Sequence, residues 1–129
     1  MSETAAPDAK EILVVDDDAG IRRALVEVLR DEGYRVTLAE NGHRALQILA
    51  LRRDDPPSLI LLDLMMPVMD GGSFLEAYTT APSLPLVPVV VLSGNLEIHQ
   101  RRHDTHVIVY LRKPINLERL LETLELWAR

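Results

Sequence analysis

The chain has 129 residues, 47% of them hydrophobic, with 20 acidic against 14 basic side chains and no cysteine. That length and apolar content suit one compact domain with a sizeable core. A net charge of −6 argues against binding nucleic acid or an anionic membrane by phosphate neutralisation, and the lack of cysteine excludes disulfides, thiol catalysis and thiolate metal sites while suiting a reducing, cytoplasmic setting.

Residues 1–10, MSETAAPDAK, have no apolar centre of the kind a signal peptide needs and read as a flexible tail. Residues 11–129 read as one domain. Its first element is the apolar run ILVV at 12–15, which drives straight into Asp16, Asp17 and Asp18. Adjacent carboxylates raise one another's pKa unless a cation relieves them. The run therefore looks like half of a site whose missing member is positive.

Ile21, Ala24, Leu25, Val28 and Leu29 follow at helical spacing, with Gly33 as the stop. Asp18, just before that stripe, is read as an N-cap or a solvated residue rather than a ligand. RVTLAE at 35–40 alternates polar and apolar, which places it at a sheet edge. Segment 42–52 reads as a helix, and LILL at 59–62 as a buried strand ending in Asp63. Met65, Met66 and Met69 are read as packing and Asp70 as turn chemistry. A helix over 72–79 precedes VPVVVL at 87–92, which ends in Ser93. Segment 95–104 is a weak helix candidate, and VIVYL at 107–111 runs into Arg112 and Lys113. Leu117, Leu120, Leu121, Leu124 and Trp127 form the last helical stripe. The longest apolar run, LPLVPVVVL at 84–92, is too short and too proline-broken to cross a bilayer.

Runs apolar on both faces suit strands covered on both sides, as in a parallel sheet. Four such strands and the alternating edge strand, with intervening helices, predict a doubly wound α/β domain, with helices on both faces of a parallel sheet. In such sheets ligands bind beyond the carboxyl ends of the strands. Aspartates, a serine hydroxyl and a lysine converge there, a poor set for a sugar or a lipid. It suits a divalent cation and a phosphoryl group, because Mg²⁺ takes one or two carboxylates, water and a phosphate oxygen. A carboxylate can act as the phosphoryl nucleophile, while a cation, an ammonium and a hydroxyl neutralise the equatorial oxygens.

ILVVDDD, LLDLMMPVMDG, VVVLSG and LRKP, in this order and at about these spacings, resemble the receiver domain of bacterial two-component response regulators. The resemblance covers roughly residues 11–128. It implies a flavodoxin-like sheet of strand order 2-1-3-4-5 and an aspartate that accepts phosphate from a phosphohistidine. Carried over by motif, it makes Asp63 the phosphoacceptor, and Asp16, Asp17, Asp63 and the backbone carbonyl of Met65 the ligands of Mg²⁺. Ser93 and Lys113 then bind the phosphoryl group, and Ser93 and Tyr110 form the switch. It also implies a cis peptide between Lys113 and Pro114. The partners implied are a sensor histidine kinase or a histidine phosphotransfer protein, and a downstream protein target; a homodimer is compatible with it. Such a domain is no enzyme in the ordinary sense, although it is expected to catalyse its own phosphorylation and dephosphorylation.

Two rival readings are weighed against this. A haloacid-dehalogenase-type phosphatase would use Asp16 and Asp18, but its motif continues with Thr or Val where this chain has Gly20. A pseudo-receiver that has lost phosphorylation is opposed by the complete set of acidic pair, acceptor and lysine. A flavin-binding flavodoxin is set aside, because no Ser/Thr/Gly-rich phosphate loop follows the first strand of this chain. His99 and His103, with His106 nearby, are read as a solvated basic face rather than a zinc site.

One stretch departs from the resemblance. Ser93 and Lys113 stand 20 positions apart, about two fewer than expected, or roughly half a helical turn. The residues between them, with Arg101, Arg102 and His103, show little apolar stripe. The expectation is a short, irregular or mobile helix and a locally basic surface suited to an acidic partner.

Overall fold

The computed structural model describes residues 9–63, 71–94 and 107–128. Five strands, β1 (Glu11–Val15), β2 (Arg35–Ala39), β3 (Leu59–Asp63), β4 (Val89–Ser93) and β5 (Val107–Arg112), pair in parallel in the order β2-β1-β3-β4-β5. This is the expected doubly wound, flavodoxin-like sheet. Four helices lie among the described residues: α1 (Ala19–Asp31), α2 (Gly42–Leu51), α3 (Gly71–Thr79) and α4 (Leu117–Trp127).

Side chains alternate across a strand, so each apolar run feeds two cores. Leu13, Val15, Ile60, Leu62, Val89 and Val91 pack with Ala45, Ile48 and Leu49 of α2 and with Phe74, Leu75 and Tyr78 of α3. Ile12, Val14, Leu59, Leu61, Val90 and Leu92 pack on the other side against Leu25 and Leu29 of α1 and Leu120 and Leu124 of α4. Strands β1, β3 and β4 are buried along their whole length, whereas β2 exposes Leu38 to 43%. The edge position read from RVTLAE is correct.

Helix starts are chemical. Asp18 caps α1, its Oδ1 accepting from the N–H groups of Gly20 (2.8 Å) and Ile21 (3.1 Å). Asn41 caps α2 and Asn116 caps α4 in the same way. Gly33, at φ 92°, takes the left-handed step that lets the chain leave α1 for β2.

Strand ends sit slightly off the sequence expectation. β4 begins at Val89 rather than at residue 87, because Pro88 has no N–H to give a ladder; its carbonyl accepts from Ile60 instead (2.9 Å). The Val87 N–H donates to the Tyr78 hydroxyl (2.8 Å), which donates in turn to the Pro85 carbonyl. α3 is thereby tied to the approach to β4. At their far ends β3, β4 and β5 include Asp63, Ser93 and Arg112 as paired residues. The polar endings belong to the sheet itself.

Candidate functional site

Parallel strands bring all their carboxyl ends to one edge of the sheet. Asp16 continues β1 by one more bond, its N–H donating to the Ala39 carbonyl (3.1 Å). Asp63 closes β3 in register with Leu92, and Ser93 closes β4 in register with Arg112. Carboxylate oxygens of Asp16, Asp17 and Asp63 lie within 4.8 Å of one another. Asp16 and Asp63 are 1% and 3% exposed, whereas Asp17 is open to solvent.

Lys113 reaches this group from β5. Its N–H donates to the Ser93 carbonyl (2.9 Å), and the peptide to Pro114 is cis, as expected. Its ammonium donates to Asp63 Oδ1 at 2.9 Å. Among the described residues, three carboxylates thus face one ammonium.

Asp16 registers the imbalance. Burial pushes its carboxyl above the ordinary 3.8; the Asp63 and Asp17 charges push the same way, while the Asp18 N–H and the Lys113 ammonium oppose them. Its Oδ1 accepts from the Asp18 N–H (2.9 Å), but its buried Oδ2 accepts no hydrogen bond among the described residues. Clustered carboxylates with one ammonium beside them, and a buried oxygen that accepts no hydrogen bond among the described residues, could hold a hard cation. The all-oxygen donor set fits Mg²⁺ and offers nothing to a thiophilic metal. Bound there, such an ion would offset the excess negative charge of the cluster.

The remaining sequence candidates distribute as follows. Ser93 is buried at the same strand end as Asp63. Tyr110 is half-buried, pairs in register with Val91 and packs against the α2/α3 side of the sheet. Asp18 is the helix cap, so the carboxylate that the phosphatase reading needs as an acid is held in capping bonds. Met65, Met66, Met69, Asp70, the histidines 99, 103 and 106 and the segment 95–104 lie outside the described residues.

Two arginines escaped the sequence reading. Arg22 donates from Nη1 to the Asp16 backbone carbonyl (2.7 Å). Arg52 grips Glu11 with both terminal nitrogens at 2.6 Å, at the opposite end of β1. Neither follows from periodicity. The only available signals were an arginine one turn beyond DDD and a glutamate directly ahead of a buried run.

The response regulator receiver domain, as a family, matches residues 12–125. Sporulation initiation phosphotransferase F of Bacillus subtilis is 32% identical over 116 residues, which cover 90% of this chain and 91% of that protein. The transcriptional regulatory protein PdtaR of Mycobacterium tuberculosis is 31% identical over 128 residues; this chain spans 58% of its length. Among solved structures, the chemotaxis protein CheY4 of Vibrio cholerae superposes with a TM-score of 0.77 at 31% identity, over 92% of this chain and 98% of that one. The receiver domain of a sensor histidine kinase from Pseudomonas aeruginosa, solved with a magnesium ion coordinated in its active site cleft, superposes with a TM-score of 0.79 at 30% identity, over 93% of this chain and 98% of that one.

Proposed function

Because the chain belongs to the response regulator receiver domain family, we propose that Asp63 accepts a phosphoryl group from the phosphohistidine of a sensor kinase or a histidine phosphotransfer protein. The observation that carries this reading is the ion pair of buried Asp63 with half-buried Lys113, set beside an Asp16 whose Oδ2 accepts no hydrogen bond among the described residues. A carboxylate oxygen of Asp63 attacks phosphorus as the phosphorus–nitrogen bond to the donor imidazole breaks, and the imidazole departs with the electron pair. Lys113 moves from the carboxylate to the incoming phosphoryl oxygens, which carry more charge than the carboxylate did. The Ser93 hydroxyl donates to another of those oxygens.

Asp16 and Asp17, with Asp63 and the backbone carbonyl of Met65, are the proposed ligands of Mg²⁺. The bound ion supplies charge neutralisation for the transferring group. The new dianion at the sheet edge is then the switch signal, read by Ser93 and Tyr110 and passed to a protein partner. Residues 11–129 act as one unit in this reading, in the cytoplasm. No helix among the described residues is long and apolar enough to cross a membrane.

Intact mass after incubation with acetyl phosphate and Mg²⁺ tests the proposal. One phosphoryl group is expected, lost in Asp63→Asn and strongly reduced in Asp17→Asn. Labelling that survived Asp63→Asn but vanished in Asp16→Asn would move the nucleophile to β1 and overturn it.

A further inference from the structure

We infer that Arg22 is a positioning residue of the cation site, holding the peptide plane from which Asp16 and Asp17 both project. This rests on the reading of that site as a Mg²⁺ site. Arg22 lies in the first turn of α1, half-buried, with its own N–H bonded to the Asp18 carbonyl (2.9 Å). From there its guanidinium turns back across the loop and donates from Nη1 to the Asp16 carbonyl at 2.7 Å.

The polar atoms of Asp16 show what this bond completes. Its N–H is held by the Ala39 carbonyl, its carbonyl by Arg22 and its Oδ1 by the Asp18 N–H. Only Oδ2 accepts nothing among the described residues. Asp16 is therefore fixed at three points with one oxygen left for a ligand. The Asp16 carbonyl also shares a rigid peptide plane with the Asp17 N–H. Fixing that carbonyl fixes the direction in which the chain enters Asp17, whose side chain is exposed. One guanidinium thus orients both acidic ligands of the loop through a backbone carbonyl rather than through either carboxylate. Groups in such supporting positions commonly change metal affinity by about tenfold or more.

Charge alone predicts the opposite sign. A guanidinium near a cation site repels the cation, so removing it should tighten binding. Positioning predicts weaker binding. The two explanations are separated by the direction of a single measured change.

The test is calorimetric titration of Mg²⁺ into the unphosphorylated wild type, Arg22→Met, Arg22→Lys and Arg23→Met. Methionine keeps the apolar stem of Arg22 and removes the donor. Lysine keeps one donor and the charge, and one donor is all that the carbonyl uses. Arg23 is an exposed neighbour for which no role is proposed. The expected result is about tenfold weaker binding in Arg22→Met, Lys within about threefold of wild type, and Arg23→Met unchanged or slightly tighter. Equal or tighter binding in Arg22→Met would overturn the inference, and so would Lys as weak as Met. Should Arg22→Met not fold, the Lys variant still decides, because a defect well beyond threefold in a folded protein removes the single-donor role. Failure of the Mg²⁺ reading itself looks different: the wild type would show no binding heat at all.

Discussion

Strand β1 carries a buried carboxylate at each end, and the two ends are built on opposite terms. At the amino end Glu11 is 5% exposed. Both of its oxygens are gripped by Arg52 at 2.6 Å, and the Thr37 hydroxyl donates to one of them. Its backbone N–H donates to the Ser58 hydroxyl and its carbonyl accepts from the Ser58 N–H. The Arg52 bonds hold its carboxyl below the ordinary 4.5 despite burial. At the carboxyl end Asp16 is as deeply buried, its carboxyl lies above the ordinary value, and Oδ2 accepts nothing among the described residues. Burial alone therefore says little about role. A carboxylate whose donors all come from its own chain is architecture, whereas one buried beside other carboxylates without enough donors marks a place for something else.

The largest expected effect removes the closed end. Arg52→Ala leaves Glu11 buried and uncompensated, which should destabilise the fold by about 3 kcal/mol or more, measured by urea unfolding at neutral pH. A folded Arg52→Ala protein should still take up one phosphoryl group, since Arg52 lies at the far edge of the sheet. The pair also sets a pH dependence. Glu11's folded pKa is depressed, so its contribution is present above the unfolded value and is lost as pH falls through about 4.5 into the acid range.

Next in size is the response of the open end to its cation. At a Mg²⁺ concentration about a hundredfold above Kd, the wild type should gain about 2.7 kcal/mol of stability. Asp17→Asn should lose most of that gain, and Arg52→Ala should keep it. A gain in stability that ignored Asp17 would mean that the ion binds elsewhere, and the contrast between the two ends would collapse.

The same contrast explains what could be read from the sequence. ILVV, LILL and the run ending in Ser93 announce strands because both of their faces are apolar, and they lie buried on both sides. The site was legible because parallel strands necessarily gather their endings, so Asp63 and Lys113, 50 positions apart, meet at 2.9 Å. The closed end was not legible. Glu11 and Arg52 are 41 positions apart and both fall at element boundaries, where a charged residue ordinarily means solvent. Arg22 escaped for another reason: its acceptor is a backbone carbonyl, which every residue has. The expectation for segment 95–104 lies outside the described residues.

A smaller effect separates the three adjacent aspartates. Asp18 serves α1 through two capping bonds, so Asp18→Ala should cost about 1 kcal/mol, while Asp18→Asn should cost far less. In either variant the Mg²⁺ response measured by calorimetry should remain close to that of the wild type. A Mg²⁺ response lost in Asp18→Asn would make Asp18 a ligand and blur the division between cap and site.

The smallest expected change is the one with the unusual sign. Asp16→Asn keeps an oxygen for the Asp18 N–H and replaces the unpartnered Oδ2 with an amide donor beside the Asp17 and Asp63 carboxylates. It removes a charge that burial and two like neighbours oppose. Without Mg²⁺ at neutral pH this variant should be more stable than wild type, by about 0.5 to 1 kcal/mol. The pH dependence follows from the raised folded pKa of Asp16. Above the ordinary 3.8 the folded chain holds this proton more tightly than the unfolded chain does, so the wild type loses stability as pH rises through that window. The Asn variant has no such proton, and its advantage should grow from about pH 4 upward and level off once the wild-type carboxyl is ionised. Added Mg²⁺ should reverse the ranking, because the wild type gains from the ion and the variant does not. Urea midpoints across this pH range, with and without Mg²⁺, check every part of the claim. An Asp16→Asn protein less stable than wild type in the absence of Mg²⁺ would make Asp16 a structural residue like Glu11, and the two ends of β1 would no longer differ in kind.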